Sequence, residues 1–545
     1  MNYLPPGSYS MTDTSLHTSV PGTTLRQAAL ALSCLLALAN VSCSASSDRA
    51  RADGSTVTVL RSSRIDERTW SAFGGFTQHL VFLRLFRKDE TDEQQPRLAE
   101  RWEHSPDYRT WTFHLRRDVR WHDGVPTTAH DVKFTLELLA HPAVLHPSAF
   151  VLNIESITVL DDFTLTITYT RPMSLESGSI AFYPKHLLED LDPSEFFSWD
   201  FWTDPVGNGP YRYVRYVPKT MMEFEANPDF YKGKPKIERL VLKFGPSTQL
   251  LELLSGNVDM TGAFPPNQIP GLGEDPRFRV YFNESNITWA HGIFWNQRHP
   301  LFRDAVVRRA LTLAINRREL LEVLNYSSPD LPIFDVIYTR RQYLQRQLPE
   351  PLPYDPELAK QLLEAAGWQD EDGDGVRERA GAEARFTLLA HRGQGIQYLG
   401  ERAAVYVQDQ LRRVGIRVDV QILDRSVITE RVRFAGEFDA AFYRTPRAAY
   451  RMLRWNLFGE GSRMGYHNPE LVRLLREAVD MGADPEVEDR IYRELWDIFR
   501  ADLPITFVRT QIGHVVAHRR IRGLSSPWRA EPNMNMEDLW LEDVP

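Results

Sequence analysis

The chain has 545 residues, 42% of them hydrophobic and 25% charged, with a net charge of −9 at pH 7. Such a length suits more than one domain, and the acidic excess argues against nucleic acid as a partner, because phosphate binding wants a basic surface. Beyond the N-terminal region no segment is apolar for the roughly 20 residues that a membrane-spanning helix needs.

Residues 28–42, behind Arg26, form an uncharged and mostly apolar run. It is too short to cross a bilayer and suits the core of an export signal. Small residues, Val41 and Ser42, stand immediately before Cys43, so the arrangement resembles a bacterial lipoprotein signal. That resemblance implies that Cys43 becomes a lipidated first residue and that the protein is extracytoplasmic, membrane-anchored by lipid alone. Two features depart from the pattern: Asn40 replaces the usual leucine, and Arg26 is the sole positive charge. Ordinary secretion with cleavage nearby is the alternative, and the start is either Met1 or Met11, since residues 1–10 add nothing a signal needs. Residues 1–42 are then signal and 43–54 a small polar tether. The other cysteine, Cys34, falls in the removed segment, which leaves no disulfide, and a chain of this size can bury enough surface without one.

After the tether, Thr56 to Leu60 and Thr110 to Leu115 alternate apolar and polar residues as half-buried strands do. Ile157 to Leu160 and Phe163 to Tyr169, around Asp161-Asp162, read as a hairpin. Met221 to Glu225 and Ile237 to Phe244 are further strands, and Thr128 to Leu139 is one clear helix in this strand-rich half. The second half changes character. Helices are expected over 306–324, 356–368, 400–414, 469–481 and 485–501, several opening with proline, a favoured first-turn residue. Strands at 384–390 and 416–423 lie between them, so this lobe reads as mixed α/β with parallel pairing. Residues 340–353, rich in Gln and Pro, read as an exposed loop.

Several stretches, in order, resemble the large peptide-type solute-binding proteins of ABC importers, the family of dipeptide, oligopeptide and nickel receptors. They are Leu98 to Glu103, Tyr108 to Leu115, Trp121 to Phe134, Tyr183 to Leu187, Pro205 to Tyr211, Asn227 to Pro235 and Leu254 to Asp259. Val307 to Arg317, Tyr354 to Leu363, Gly367-Trp368, Phe438-Asp439 and Asn468 to Glu470 continue the series. Most of these residues report scaffold: Gly124 and Pro126 turn the chain before a helix capped by Thr127 or Thr128, and Gly207, Gly209 and Pro210 permit a tight bend. The resemblance implies an α/β, two-lobed periplasmic-binding-protein fold (type II) with an extra subdomain in the first lobe. Lobe I would comprise 55–84, 204–288 and 511–545, the inserted subdomain 85–203, and lobe II 289–510, with strands crossing between lobes as the hinge.

Peptide-binding relatives carry an acidic residue shortly after the Phe-Asp strand, which pairs with the ligand's amino terminus. Here the matching place, at or near Ala448, lacks an acid, and Arg444, Arg447, Arg451 and Arg454 occupy the segment. A cationic amine would be repelled there, whereas arginine can clamp a carboxylate or phosphate through paired hydrogen bonds. At helical spacing the same four arginines share one face and read equally well as a solvated stripe. Ligand-binding candidates are therefore Trp295 and Asn296, taken as the lobe crossing, with Arg433, Tyr443, Arg444 and Arg447. Trp289 and Trp455 are further aromatic candidates, each also reading as core.

Asp370 to Gly375 resembles the start of a calcium loop, but the twelfth position, where a full EF-hand loop carries glutamate, is Gly381. It reads as a surface turn; no metal and no cofactor are expected. His114, His122 and His130 make no catalytic constellation, no HExxH or G-x-S-x-G pattern occurs, and no enzyme is expected. The expected partners are a peptide or other small-molecule ligand and an ABC permease, with the receptor itself a monomer. A sensor of the same fold that signals to a membrane kinase or chemoreceptor is the alternative. A cytoplasmic regulator would need a basic helix-turn-helix at the N-terminus, where the apolar run stands instead.

Overall fold

Alternation along short apolar strands builds three large sheets among the described residues, and their connections fix where a ligand could sit. The computed structural model describes residues 55–542, except 62–75, 89–93, 145–148, 174–179, 246–248, 263–267, 284–288, 325–332, 340, 343–344, 346, 393–399, 447–451, 453–456, 482–483, 511–512 and 525–535. Residues 1–42, expected as a signal, and 43–54, expected as a lipidated cysteine and tether, lie outside the described residues.

The first sheet has seven strands in the order 278–283, 513–518, 260–262, 56–61, 239–244, 221–226 and 211–217. One face packs through Met222, Phe224, Leu240 and Leu242 into a large core, while Leu60, Phe278 and Val516 on the other cover Leu253 and Leu272 from two short helices. The buried Asp259 carboxylate ties the sheet together by accepting from the Thr58 backbone N–H at 2.8 Å and from Arg520 at 2.8 Å. The C-terminal tail docks here too: the Tyr211 hydroxyl donates to the Met536 carbonyl at 3.3 Å, and Arg97 forms a buried ion pair with Glu537.

A four-stranded antiparallel sheet follows, ordered 99–104, 110–115, 164–169 and 154–161. Trp111, Phe113 and Leu115 point to one face, as the alternation requires, and share the first sheet's large core with Leu165 and Ile167. The expected hairpin is present as 154–161 and 164–169. The helix runs Ala129–Ala140, and of the two expected caps Thr128 is the one used, with its backbone N–H donating back to Asp131 Oδ2 at 2.8 Å.

Gly207 and Gly209 serve close approach rather than an unusual backbone angle. A Cβ on Gly207 would lie 1.9 Å from the Val81 carbonyl oxygen, and the Gly209 N–H donates to that same oxygen at 2.7 Å. His122 bridges the bend. Its Nδ1 accepts from the Gly207 N–H at 3.2 Å, so the proton resides on Nε2, which donates to the Gly209 carbonyl at 3.1 Å. Burial pushes this imidazole down to about 4.

The second lobe is built on five strands: β1 (Trp289–Trp295), β2 (Arg385–His391), β3 (Arg417–Leu423), β4 (Ala440–Pro446) and β5 (Ile505–Thr510), ordered β3-β2-β4-β1-β5. Parallel pairing holds for β2 with β3 and with β4, whereas β1 runs antiparallel to both β4 and β5. Helices cover both faces, so each strand contributes to two cores. Ile293, Phe386 and Phe442 meet Leu311, Val407 and Leu411 on one side. On the other, Phe294, Leu389 and Phe507 meet Leu475, Ile491 and Leu495.

Two expectations need correction. The helix read over 306–324 is two, Ala305–Leu313 and Arg317–Val323, because Asn316 caps the second by accepting from the Glu319 N–H at 3.1 Å. The loop 340–353 is also anchored rather than wholly exposed. Arg341 pairs with Asp489 at 2.7 Å, Gln342 is buried, and Leu352 N–H donates to Asp335 at 2.6 Å. Asp335 in turn holds a buried ion pair with Arg317, whose guanidinium also donates to the Phe507 carbonyl at 3.0 Å and the Leu352 carbonyl at 2.7 Å.

Candidate functional site

The chain leaves the first sheet after Asn283 and enters β1 at Trp289, then leaves β5 at Thr510 and re-enters the first sheet at Gly513. The crossing residues themselves, 284–288 and 511–512, which would hold the hinge, lie outside the described residues. Trp289 stands opposite Pro446, so the crossing is at the edge where the parallel strands β2, β3 and β4 present their carboxyl ends. Open α/β sheets bind ligands beyond that edge.

Along β1 and β4 the register is Trp295 to Ala440, Gly292 to Tyr443 and His291 to Arg444. Arg444 therefore lies in the half of β4 toward the crossing edge, and Tyr443 is the strand's middle residue, facing the other side of the sheet. The Tyr443 hydroxyl lies 2.9 Å from Thr429 Oγ1, and its ring meets Phe294 edge-on at 6.0 Å. Arg444 is half-buried. Because it is the fifth residue of a strand, the helical stripe with 447, 451 and 454 cannot begin at 444. Arg447, Ala448, Arg451, Arg454 and Trp455 lie outside the described residues.

Trp295, Asn296 and Arg433 are at the opposite end, so the placement of Trp295 and Asn296 at the lobe crossing is corrected. From Ala440 to Arg444 the strand advances about 13 Å. Trp295 is fully buried between Phe302 and Phe386, and its indole N–H donates to Thr506 Oγ1 at 2.9 Å. Asn296 spends its amide on the carbonyls of Phe438, at 2.6 Å, and Gly436, at 3.3 Å, while its oxygen accepts from the Arg298 N–H. Arg433 lies over the Phe434 ring at 5.3 Å, in the wide turn Glu430–Ala435 that Gly436 ends with φ of +72°. These three side chains are committed to the sheet's far end.

One residue that sequence reasoning passed over is brought to the half of the sheet toward the crossing edge. His291, 5% exposed, stands opposite Arg444 and stacks on Phe442 with ring centroids 6.1 Å apart. A signal exists in the alternation of β1, which puts His291 in an otherwise apolar stripe with Ile293 and Trp295.

Elsewhere, Asp370, Asp372, Asp374 and Glu378 bring one carboxylate oxygen each to within 4.8 Å of one another. Glu378 supplies the acid that position 381 lacks, which the sequence reading missed by looking only at the twelfth place. The first three are exposed and accept backbone N–H groups of their own turn, as Asp370 does from Gly373 at 2.8 Å and Gly375 at 3.1 Å. Among the described residues no helix is long and apolar enough to cross a membrane.

A seven-stranded and a five-stranded sheet linked by two crossings, with a four-stranded sheet inserted in the first lobe, define a two-lobed binding-protein fold of type II. Solved structures agree. NikA from Brucella suis in complex with Fe(III)-EDTA matches with a TM-score of 0.75 at 19% identity, over 89% of this chain and 100% of that one. The oligopeptide-binding protein AppA from Bacillus subtilis, in complex with a nonapeptide, matches with a TM-score of 0.65 at 22% identity, over 90% of this chain and 99% of that one. In sequence, the Bacillus subtilis oligopeptide-binding protein AppA is 25% identical over 496 residues, covering 85% of this chain and 87% of the relative. The family model described as bacterial extracellular solute-binding proteins, family 5 Middle, matches residues 93–450. The chain belongs to that family.

Proposed function

We propose that this protein is an extracytoplasmic solute receptor, held at the membrane by a lipid on Cys43, that delivers a peptide-like or anionic solute to an ABC permease. The carrying observation is the pairing of Arg444 with His291 in the half of the second sheet toward its carboxyl edge, where the chain crosses, with Tyr443 on the other face of the same strand. Family membership and the peptide-binding names of relatives such as AppA favour a peptide-like ligand. The arginine favours one that carries a carboxylate or a blocked amine. Lobe I is assigned to 55–84, 204–288 and 511–545, the inserted subdomain to 85–203 and lobe II to 289–510, which agrees with the membership of the three sheets. Ligand bound between the lobes would select the closed state, and the permease would read that state. The protein acts by capture and release, with no catalytic step.

The test is thermal stabilisation of the purified protein against di- to pentapeptides, N-acylated and acidic peptides, metal chelates and oligosaccharides. A ligand at 100 times its dissociation constant stabilises by about 2.7 kcal/mol. Stabilisation by acidic or N-blocked peptides supports the reading. Stabilisation by free-amine peptides alone removes the anion preference, and stabilisation by nothing in the set removes the receptor role. Mass spectrometry of the N-terminal peptide from membranes, with and without Cys43→Ala, tests the anchor.

A further inference from the structure

A cavity of about 600 Å³ lies within the second lobe, between residues 457–467 and the start of the helix Pro469–Met481. Its apolar lining comes from Met452, Leu457, Phe458, Val472 and Leu475. Phe458 is braced edge-on by Tyr466 at 5.8 Å and by Phe499 at 5.5 Å, so this wall is fixed by the core behind it. Small-molecule sites have this size and this mix of apolar lining with a few polar groups.

The rim is where a ligand headgroup would be read. Arg473 is already neutralised, since it donates to Glu470 at 2.7 and 2.8 Å and to Glu477 at 2.6 Å. Arg476 and His467 also line the cavity, are exposed, and form no ion pair among the described residues. Glu460 is the one carboxylate in the lining and bars a second negative charge from its side. A half-open pocket with an apolar floor and an uncommitted guanidinium at its mouth fits a body of carbon carrying a single anionic group. A cationic head would face Arg476.

We propose that this cavity is a second binding site, separate from the crossing edge of the sheet, for a small amphipathic carboxylate with an acyl or aryl body. Arg476 holds the carboxylate, and Val472, Leu457 and Phe458 form the floor under the body. Met452 lies eight residues beyond Arg444 in the chain, so the two sites border the same connection but share no side chain.

The probes are 2-naphthoate and octanoate, with 2-naphthamide and octanamide as neutral counterparts and propionate as an anion without a body. Calorimetry and thermal shift on the purified protein are expected to show binding of the two carboxylates only. Arg476→Gln should weaken that binding about tenfold, the loss of one charge-assisted hydrogen bond. Val472→Trp should abolish it by filling the pocket, with far-UV circular dichroism checking the fold; Arg476, being exposed, gives a variant that folds in any case. Arg444→Ala should leave it unchanged. Equal binding of amides and acids, insensitivity to Arg476→Gln, loss in Arg444→Ala, or no binding of either carboxylate would each overturn the proposal. None of these outcomes bears on peptide capture, which the peptide library reads separately.

Discussion

His291 stands directly across from Arg444 on neighbouring antiparallel strands, toward the end of the ladder from which the chain crosses to the first lobe. Residues of one cross-strand pair share a face, here the one that carries Ile293 and Phe442, so the half-buried Arg444 and the 5% exposed His291 lie side by side in the half of the strand nearest the crossing. Trp295, on the same strand, is at the other end and wholly buried.

The first prediction sets those two ends against each other. Arg444→Ala is expected to lower solute affinity by 10- to 100-fold, from loss of a charge-assisted hydrogen bond of about 1.5–3 kcal/mol, while the melting temperature without ligand changes little. Trp295→Ala is expected to cost about 3–5 kcal/mol in unfolding free energy and to leave the affinity of the surviving folded protein intact. Calorimetry and urea denaturation on both variants check the pair. An affinity loss in Trp295→Ala equal to that in Arg444→Ala would contradict the assignment of ends.

What is legible in the sequence follows from the range of the forces involved. The helices at 356, 469 and 485 announce themselves because proline favours the first turn, a local effect. The break at Asn316 is legible in the same way, as a cap with Glu319 three residues on, although a continuous apolar periodicity masks it. Alternation in β1 shows that His291 and Trp295 share a face. It carries no information on which end of the strand meets the other lobe, because that depends on strand order and on two remote crossings. For the same reason a stripe of arginines starting at 444 reads as helical until pairing with β1 makes Arg444 a strand residue. Gly207 shows the limit from another side: its constraint is Val81, more than a hundred residues away.

The buried pair between Arg317 and Asp335 yields the second prediction. The two side chains are 4% and 2% exposed, and together they bind the carbonyls of Phe507 and Leu352 and the N–H of Leu352. Removing one partner leaves an uncompensated buried charge, so Asp335→Ala should destabilise by about 3–5 kcal/mol. The double variant Arg317→Met, Asp335→Ala should recover part of that loss. A double variant no more stable than Asp335→Ala would show that the hydrogen bonds to 352 and 507, rather than the stranded charge, dominate.

His122 gives the third, through pH. Burial lowers its pKa from 6.5 in the unfolded chain to about 4 in the folded one, and His514 is likewise pushed down to about 4 by burial. Between those values the unfolded state binds more protons than the native state, so stability rises with pH across that window. The contribution is fully present above about pH 6.5 and is lost as pH falls toward 4, with each unit of difference worth about 1.4 kcal/mol per group. His122→Gln should flatten this part of the profile relative to the parent, as read by urea unfolding at pH 7, 5.5 and 4.5. Parallel profiles for parent and variant would mean that His122 does not carry the dependence.

Two glycines from different stretches of the family pattern supply the last prediction, because they are glycine for different reasons. Gly124 has φ of +93° and open space around its Cα, so Gly124→Ala meets only backbone strain and should cost about 1–2 kcal/mol. Gly207 has no such angle, but a Cβ there would lie 1.9 Å from the Val81 carbonyl oxygen and 2.5 Å from its side chain. Gly207→Ala must therefore push the bend away from the end of the short helix Phe76–Val81 that it packs on, and it breaks the His122 bridge as it goes. Its cost should exceed that of Gly124→Ala by at least about 2 kcal/mol, the scale of overpacking in a tight core. The distinguishing readout is His122: Gly207→Ala should raise its pKa toward 6.5 by admitting water, visible in its imidazole NMR signals, whereas Gly124→Ala should leave it near 4. If both variants behaved alike, the backbone angle rather than the contact with Val81 would be the constraint at both positions.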